Sequence, residues 1–430
     1  MENYMIDKKQ LVSGIYLTSI LLIITATFSL QVKKTPIKKQ VTIFVHGTVF
    51  PFLAFLNPHK TYIHNLDSQD WYSRCIGQLR TNPLLQEDCI MLDVGLHKID
   101  NGYLQQYTQQ TLPPALSKKG AYQAIGAYHT ITKLLANNSK QHVEHDYYTF
   151  GFTGLLSESH RKQTAEDLYQ TLIKLIYTYK QQNYEPIITL CGYSHGGNVI
   201  LYTAQAAERS PAAISIDTVV LLGTPLQTET AQLAKKSIFK TVINIYSTGD
   251  TVQSGDSFST PHGITHRKLS DLFNTQEYVK VCPGKHLYDL QITADEDKQA
   301  FGHCAYWFFN HYSPGLFNTT PVNTQAVYNT LTPLPLVILI PLVKELLKKT
   351  SFTYQNITDL TLSLNAHESY FGFQVLNAHN NQCLLKSANI KNSVSRIQQY
   401  AQTSWQPYVH ESFSMRLAVG ALTALQTLVT

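Results

Sequence analysis

The stretch Gly192-Tyr193-Ser194-His195-Gly196 sets a serine hydroxyl between two glycines. A serine attacks a carbonyl carbon when a neighbouring base takes its proton and fixed donors hold the oxyanion that forms. Its surroundings suit that chemistry. The apolar run Pro186-Ile187-Ile188-Thr189-Leu190-Cys191 ends at the pentapeptide, and a helical pattern through Val199, Ile200, Ala204 and Ala207 follows it. A tight strand-to-helix turn lifts its central residue above a sheet, and the glycines let neighbouring backbone come close. The start of the helix supplies unpaired amides and the positive end of a dipole.

The base and its orienting acid must come from elsewhere in the chain. Asp250 follows the run Thr241–Tyr246, at a strand end. It also suits a plain Gly-Asp turn, and Asp256 is its competitor six residues on. Among the histidines after Asp250, His262 and His266 follow too closely to leave room for another helix and strand. His303, in Phe301-Gly302-His303-Cys304-Ala305-Tyr306-Trp307, comes after the last candidate strand, Leu287–Thr293, and gives the order Ser, Asp, His. His286 is the alternative.

The elements that must hold these residues alternate. Strand runs are expected at Val41–His46, Tyr147–Phe152, Pro186–Cys191, Ile216–Leu222 and Thr241–Tyr246, with helical spacing at Leu168, Leu172, Leu175, Ile176 and Tyr179. Continuous apolar strands between helices predict an α/β fold with a mostly parallel sheet covered on both faces. A long insertion at about residues 57–145, with a helix expected around Ala121–Leu135, interrupts the pattern.

These features together resemble the α/β-hydrolase superfamily of the lipase and esterase kind. His46-Gly47 after the first strand, the turn at Ser194, Gly223-Thr224-Pro225, Gly249-Asp250 and Gly302-His303 carry the resemblance, over roughly residues 40–312. It implies Ser194, Asp250 and His303 as the triad, with His286 and Asp256 as alternative members. It implies the backbone amides of Thr48 and His195 as the oxyanion hole. The activity implied is cleavage of carboxylic esters of lipid or acyl type through an acyl-enzyme, with no metal and no cofactor. A thioesterase, amidase or acyltransferase on the same triad is the alternative, and an inactive binding module of the same fold is a third reading. The strands that open the full superfamily fold ahead of Val41–His46 are not visible in the sequence.

Composition bounds the rest. The chain has 430 residues, is 43% apolar and 15% charged, and carries a net charge of +5. This excludes a disordered chain or a coiled coil, and no basic stripe points to nucleic acid. Leu11–Val32 is free of charge and follows Lys8 and Lys9, so residues 1–35 are expected to be a signal sequence or a membrane-anchoring hydrophobic helix. Lys33, Lys34, Lys38 and Lys39 pull the other way on topology; the expectation is a secreted or anchored protein, facing outside the cytoplasm. Residues 36–315 form the hydrolase-like domain and 316–430 a carboxy-terminal extension, in which Asp359–Leu364 alternates like a strand, Tyr370–Leu376 resembles a second and Arg416–Val429 suits an end helix. Of six cysteines, Cys191 is expected to be a free buried thiol, while Cys75 with Cys89, or Cys282 with Cys304, could pair. The cluster His142, Glu144, His145 reads as a solvated loop rather than a metal site.

Overall fold

The computed structural model describes residues 16, 18–19, 35–48, 94–108, 120–136, 144–256, 259–260, 263–273, 286–294, 299–300, 303–306, 337, 339–349, 358–365, 372–377 and 383–386. In chain order the elements are β1 (Ile37–Val45), β2 (Gly95–Lys98), α1 (Asn101–Thr108), α2 (Gly120–Ala136), β3 (Glu144–Gly151), α3 (Glu158–Gln181), β4 (Tyr184–Tyr193) and α4 (His195–Arg209). Then come β5 (Ile216–Leu222), α5 (Thr228–Leu233), β6 (Phe239–Tyr246), α6 (Thr251–Gly255), β7 (His286–Ala294), β8 (Gln299–Ala300), α7 (Leu339–Lys349), β9 (Thr358–Asn365), β10 (Gly372–Asn377) and β11 (Cys383–Lys386).

Among the described residues all eleven strands join one sheet in the order β11-β10-β9-β7-β6-β5-β4-β1-β3-β2, with β8 on β7. The six strands from β3 to β7 run parallel to one another, and β9 adds a seventh beside β7. β2 closes one edge antiparallel to β3. This is an α/β fold with a mostly parallel sheet.

The strand sequences explain the layering. Successive side chains of a strand point to opposite faces. On β1, Val41, Ile43 and Val45 enter a core with Leu168, Tyr169 and Leu172 of α3 and Val199 of α4. On the other face Phe44 meets Tyr128 of α2 edge-on at 5.2 Å, and Tyr128 meets Tyr147 of β3 at 6.0 Å. Both faces are therefore dry, which is why these strands read as unbroken apolar runs. Each fully buried Leu or Ile contributes on the order of 2 kcal/mol. Cys191 is a free thiol buried in this interior.

The carboxy-terminal region shares this architecture. Lys344 of α7 donates to Thr189 Oγ1 of β4 at 2.8 Å, and β9 pairs along β7 from Tyr288 to Ala294. The β9 and β10 strands match the alternating segments expected at 359–364 and 370–376. Leu11–Val32, most of the insertion, Cys75, Cys89, Cys282 and Arg416–Val429 lie outside the described residues, apart from Tyr16, Thr18 and Ser19. Among the described residues no helix is long and apolar enough to cross a membrane.

The order of the strands fixes where a ligand can sit. From β1 the chain moves to β3 on one side, then to β4 on the other. Such a reversal opens a crevice at the carboxyl end of the strands around it. Gly47-Thr48 leaves β1 at that crevice and Ser194 leaves β4 beside it.

Candidate active site

Ser194 sits between the last residue of β4 and the first of α4, with φ 52° and ψ −130°. Only one other described non-glycine residue has positive φ, Asn183, a residue type that tolerates it in a turn. A serine held this way costs roughly 1–3 kcal/mol that the surroundings must offset. They do so with backbone bonds: Ser194 N–H donates to Leu222 O at 2.8 Å, and Gly197 N–H to Ser194 O at 3.0 Å. A serine in this position normally caps its helix through the hydroxyl. Ser194 makes no such bond, so its Oγ stays uncommitted to the helix.

The neighbouring glycines are there for close approach. A Cβ on Gly47 would lie 2.6 Å from Ser194 Cβ, and one on Gly196 would collide with the carbonyls of Val45 and His46. The end of β1 and the start of α4 therefore touch through backbone, and Gly47 lies against the serine side chain. His46 braces this end of β1. Phe152 N–H donates to its Nε2 at 3.1 Å, which leaves Nδ1 to donate to Gly47 O at 2.7 Å. Thr48 follows, and its Oγ1 is buried with no hydrogen-bond partner among the described residues.

Asp250 and His303 come together at the same rim. Asp250 is fully buried; its Oδ2 lies 2.8 Å from His303 Nδ1, and its Oδ1 accepts from Gln253 N–H at 3.1 Å. An ionised carboxylate only accepts, so Nδ1 carries the proton and Nε2 presents the lone pair. Arg267 donates through Nε and Nη2 to Asp250 O at 3.2 and 3.0 Å and holds the turn. The loop carrying Arg267 is pinned in turn by the buried Asp289 of β7. Asp289 accepts from Leu269 N–H at 3.0 Å, Ser270 N–H at 2.8 Å and Asn244 Nδ2 at 2.7 Å. His303 is 7% exposed and opens a short 3-10 turn, His303–Tyr306, after β8. Tyr193, the residue before Ser194, lies with its ring 5.1 Å from that of His303 and donates its hydroxyl to His303 O at 3.3 Å. The turn at Ser194 and the His303 segment are thus packed together.

Asp256 and His286, the alternative triad members, lie elsewhere. Asp256 Oδ2 is 2.7 Å from Nε2 of His195, not beside His303. The bend after α6 turns the second carboxylate toward α4, although it is only six residues from Asp250. His286 opens β7 opposite Thr241, at the amino rim of the sheet. A nine-residue strand spans about 25 Å, so His286 is a strand's length from the crevice.

Burial lowers His195 below its ordinary value, and the pull of Asp256 does not overcome it, so the ring is neutral. Burial opposes the charge on Asp256, but His195, Ser259 and Arg161 together hold its pKa below the usual carboxylate value. Asn198, Arg161, Arg267 and Asp289 were not among the residues the sequence pointed to. Asn198 alone carried a local signal, lying one helical turn after His195. Among the described residues no group of three or more His, Cys, Asp or Glu side chains converges as a metal site.

A family model described as "Protein of unknown function (DUF726)" matches residues 160–254, from α3 to the segment after Asp250. Two solved structures are similar. One is a hyperthermophilic esterase from the archaeon Pyrobaculum calidifontis, 9% identical, covering 88% of this chain and 99% of its own, with a TM-score of 0.23. The other is a monoclinic form of a Pyrobaculum calidifontis esterase, 12% identical, covering 85% and 99%, with a TM-score of 0.21. No curated protein matches the chain.

Proposed function

We propose that the protein is a serine hydrolase of the α/β-hydrolase kind that cleaves carboxylic esters of acyl or lipid type. One observation carries the reading. A serine strained at φ 52° on a strand-to-helix turn, its hydroxyl unused by the helix, directly follows Tyr193, whose ring lies 5.1 Å from that of His303 in a buried His–Asp pair. Strain of this kind persists only where the surrounding structure holds it, and it clusters at functional sites.

The steps follow from the roles. Ser194 Oγ attacks the ester carbonyl carbon while His303 Nε2 takes the hydroxyl proton. Asp250 keeps the proton on Nδ1 and steadies the imidazolium. The amides of Thr48 and His195 receive the oxyanion, each donor worth about 3 kcal/mol. The buried Thr48 hydroxyl is a further donor at the same end of β1. His303 returns its proton to the leaving alkoxide, the C–O bond breaks, and an acyl-Ser194 ester remains. Water, activated by His303, then releases the acid.

Hydrolysis of short and long p-nitrophenyl esters, beside a thioester and an anilide, tests the proposal. Ester turnover that vanishes in Ser194→Ala supports it. Preference for the thioester or anilide moves the assignment to a thioesterase or amidase. Folded wild-type protein inert toward every substrate leaves a binding module. The uncharged stretch Leu11–Val32 is the basis for proposing that the activity is anchored to a membrane or exported. Fractionation of cells expressing the chain with and without residues 1–35 checks this, and identical soluble cytoplasmic distribution of both forms contradicts it.

A further inference from the structure

The rim of the sheet holds a second His–Asp pair that the triad does not use. His195, the residue after the nucleophile, is 3% exposed although it opens a helix. Its Nδ1 lies 3.1 Å from Asn198 Nδ2, an amide nitrogen that can only donate. Nδ1 therefore accepts, the proton sits on Nε2, and Nε2 donates to Asp256 Oδ2 at 2.7 Å. Both ring nitrogens are engaged, so the imidazole cannot flip.

The partners of this ring are themselves tied to separate segments. Asn198 Nδ2 also donates to Pro225 O at 3.0 Å, and its Oδ1 accepts from Thr230 Oγ1 at 2.7 Å. Asp256 accepts from Ser259 Oγ. Ser259 in turn accepts from Gln227 Nε2 at 2.8 Å and, through its carbonyl, from Arg161 Nη2 of α3 at 2.8 Å. The fully buried Arg161 faces Asp256 and offsets its charge. A leucine in place of His195 could fill the space, but it would not specify one orientation of the first turn of α4. The residue so clamped carries the backbone N–H that the proposed mechanism uses for the oxyanion.

We propose that Asp256 is a positioning residue for the oxyanion hole: through the His195 imidazole it fixes the His195 amide toward the crevice. This rests on the serine-hydrolase reading above. Asp256 touches no reacting atom, and it does not substitute for Asp250.

The test compares Asp256→Leu and Asp256→Asn with wild type and Ser194→Ala, using a fluorophosphonate probe. In the probe reaction a bond forms from Ser194 Oγ to phosphorus, fluoride leaves, and the phosphoryl oxygen occupies the oxyanion hole. Asp256→Leu is expected to slow labelling and kcat about 10- to 100-fold with KM little changed. The pH at which labelling rises is expected not to move, because His303–Asp250 is untouched. Asp256→Asn keeps an acceptor for Nε2–H and is expected to recover most of the loss. Wild-type labelling rate per folded molecule in Asp256→Leu overturns the positioning role and leaves the hydrolase reading standing. A shifted pH profile also overturns it, since that marks Asp256 as part of the triad. If Asp256→Leu does not fold, His195→Leu, which removes the ring's bonds to Asp256 and Asn198 but keeps the backbone amide, must reproduce the kcat loss without the pH shift. Failure of wild type to label at all removes the hydrolase reading and this proposal together.

Discussion

Two aspartates are buried at opposite rims of the same sheet, and their partners differ. At the amino rim Asp146 of β3 lies 3.1 Å from Lys39 Nζ and 3.0 Å from Lys98 Nζ. Tyr179 also donates its hydroxyl to it, while Tyr148 and Tyr179 hydroxyls meet at 2.8 Å. At the carboxyl rim Asp250 faces one imidazole, one helix amide and no lysine among the described residues. Two permanent cations hold a carboxylate charged and leave it nothing to do but bind the strands together. In the mechanism proposed above, a single imidazole partner leaves the pair able to pass a proton. The residue type is the same; the partner decides between structure and chemistry.

The largest effects that can break this contrast lie at the carboxyl rim. Ser194→Ala and His303→Ala are expected to lower kcat by a factor of about 10⁴ or more, with thermal midpoints close to wild type. Midpoints that fall sharply would assign these residues to the amino-rim class. Asp250→Asn comes next, with roughly a 10³- to 10⁴-fold loss of kcat, because the wrong tautomer of His303 is then favoured. Equal activity of Asp250→Asn and wild type removes the pair from the mechanism.

Asp146→Ala is expected to show the opposite pattern. Removing Asp146 leaves Lys39 Nζ with only the more exposed Glu144 at 3.3 Å and costs about 1–2 kcal/mol of stability, while kcat per folded molecule stays at the wild-type value. Denaturant titration beside active-site titration measures both. The same pair gives a pH signature. Burial opposes the Asp146 charge, but bonds from Tyr179, Lys98 and Lys39 outweigh it and hold its pKa below the ordinary value. A carboxyl lowered in the folded state stabilises fully above its unfolded pKa, about 3.9, and the contribution fades as pH falls through the lower folded value. Asp146→Ala is expected to flatten the acid limb of the stability curve. An unchanged limb contradicts the assignment. The smallest effect is that of Tyr179→Phe, about 1 kcal/mol, with no change in kcat. A kcat change from that substitution would link the two rims.

The two rims also differ in how far they were legible in the sequence. Strands β1 and β3 to β7 stand out because both faces are dry, which leaves unbroken apolar runs. Ser194 stands out because close backbone contact with the end of β1 requires glycine nearby, and glycines at fixed spacing are visible as letters. The distance of His286 from the crevice is not a local property of the sequence. It depends on β7 running parallel to β6, which puts the first residue of β7 at the wrong rim. The choice of Asp250 over Asp256 depends on the path of a six-residue bend. The edge strands β2 and β8 are four and two residues long, too short for a periodic signal. Residues 358–377 alternate like half-buried strands, but that they extend the sheet beside β7 is a matter of pairing that no local pattern carries. Likewise Lys39, Asp146 and Tyr179 meet only because β1, β3 and α3 do.

The central claim is that the strained serine is the nucleophile served by the Asp250–His303 pair. Mass spectrometry of peptides after fluorophosphonate treatment tests it most directly. The account predicts one adduct, on Ser194, formed in wild type and lost in His303→Ala at neutral pH. An adduct on another serine, or labelling of Ser194 that proceeds undiminished without His303, contradicts it.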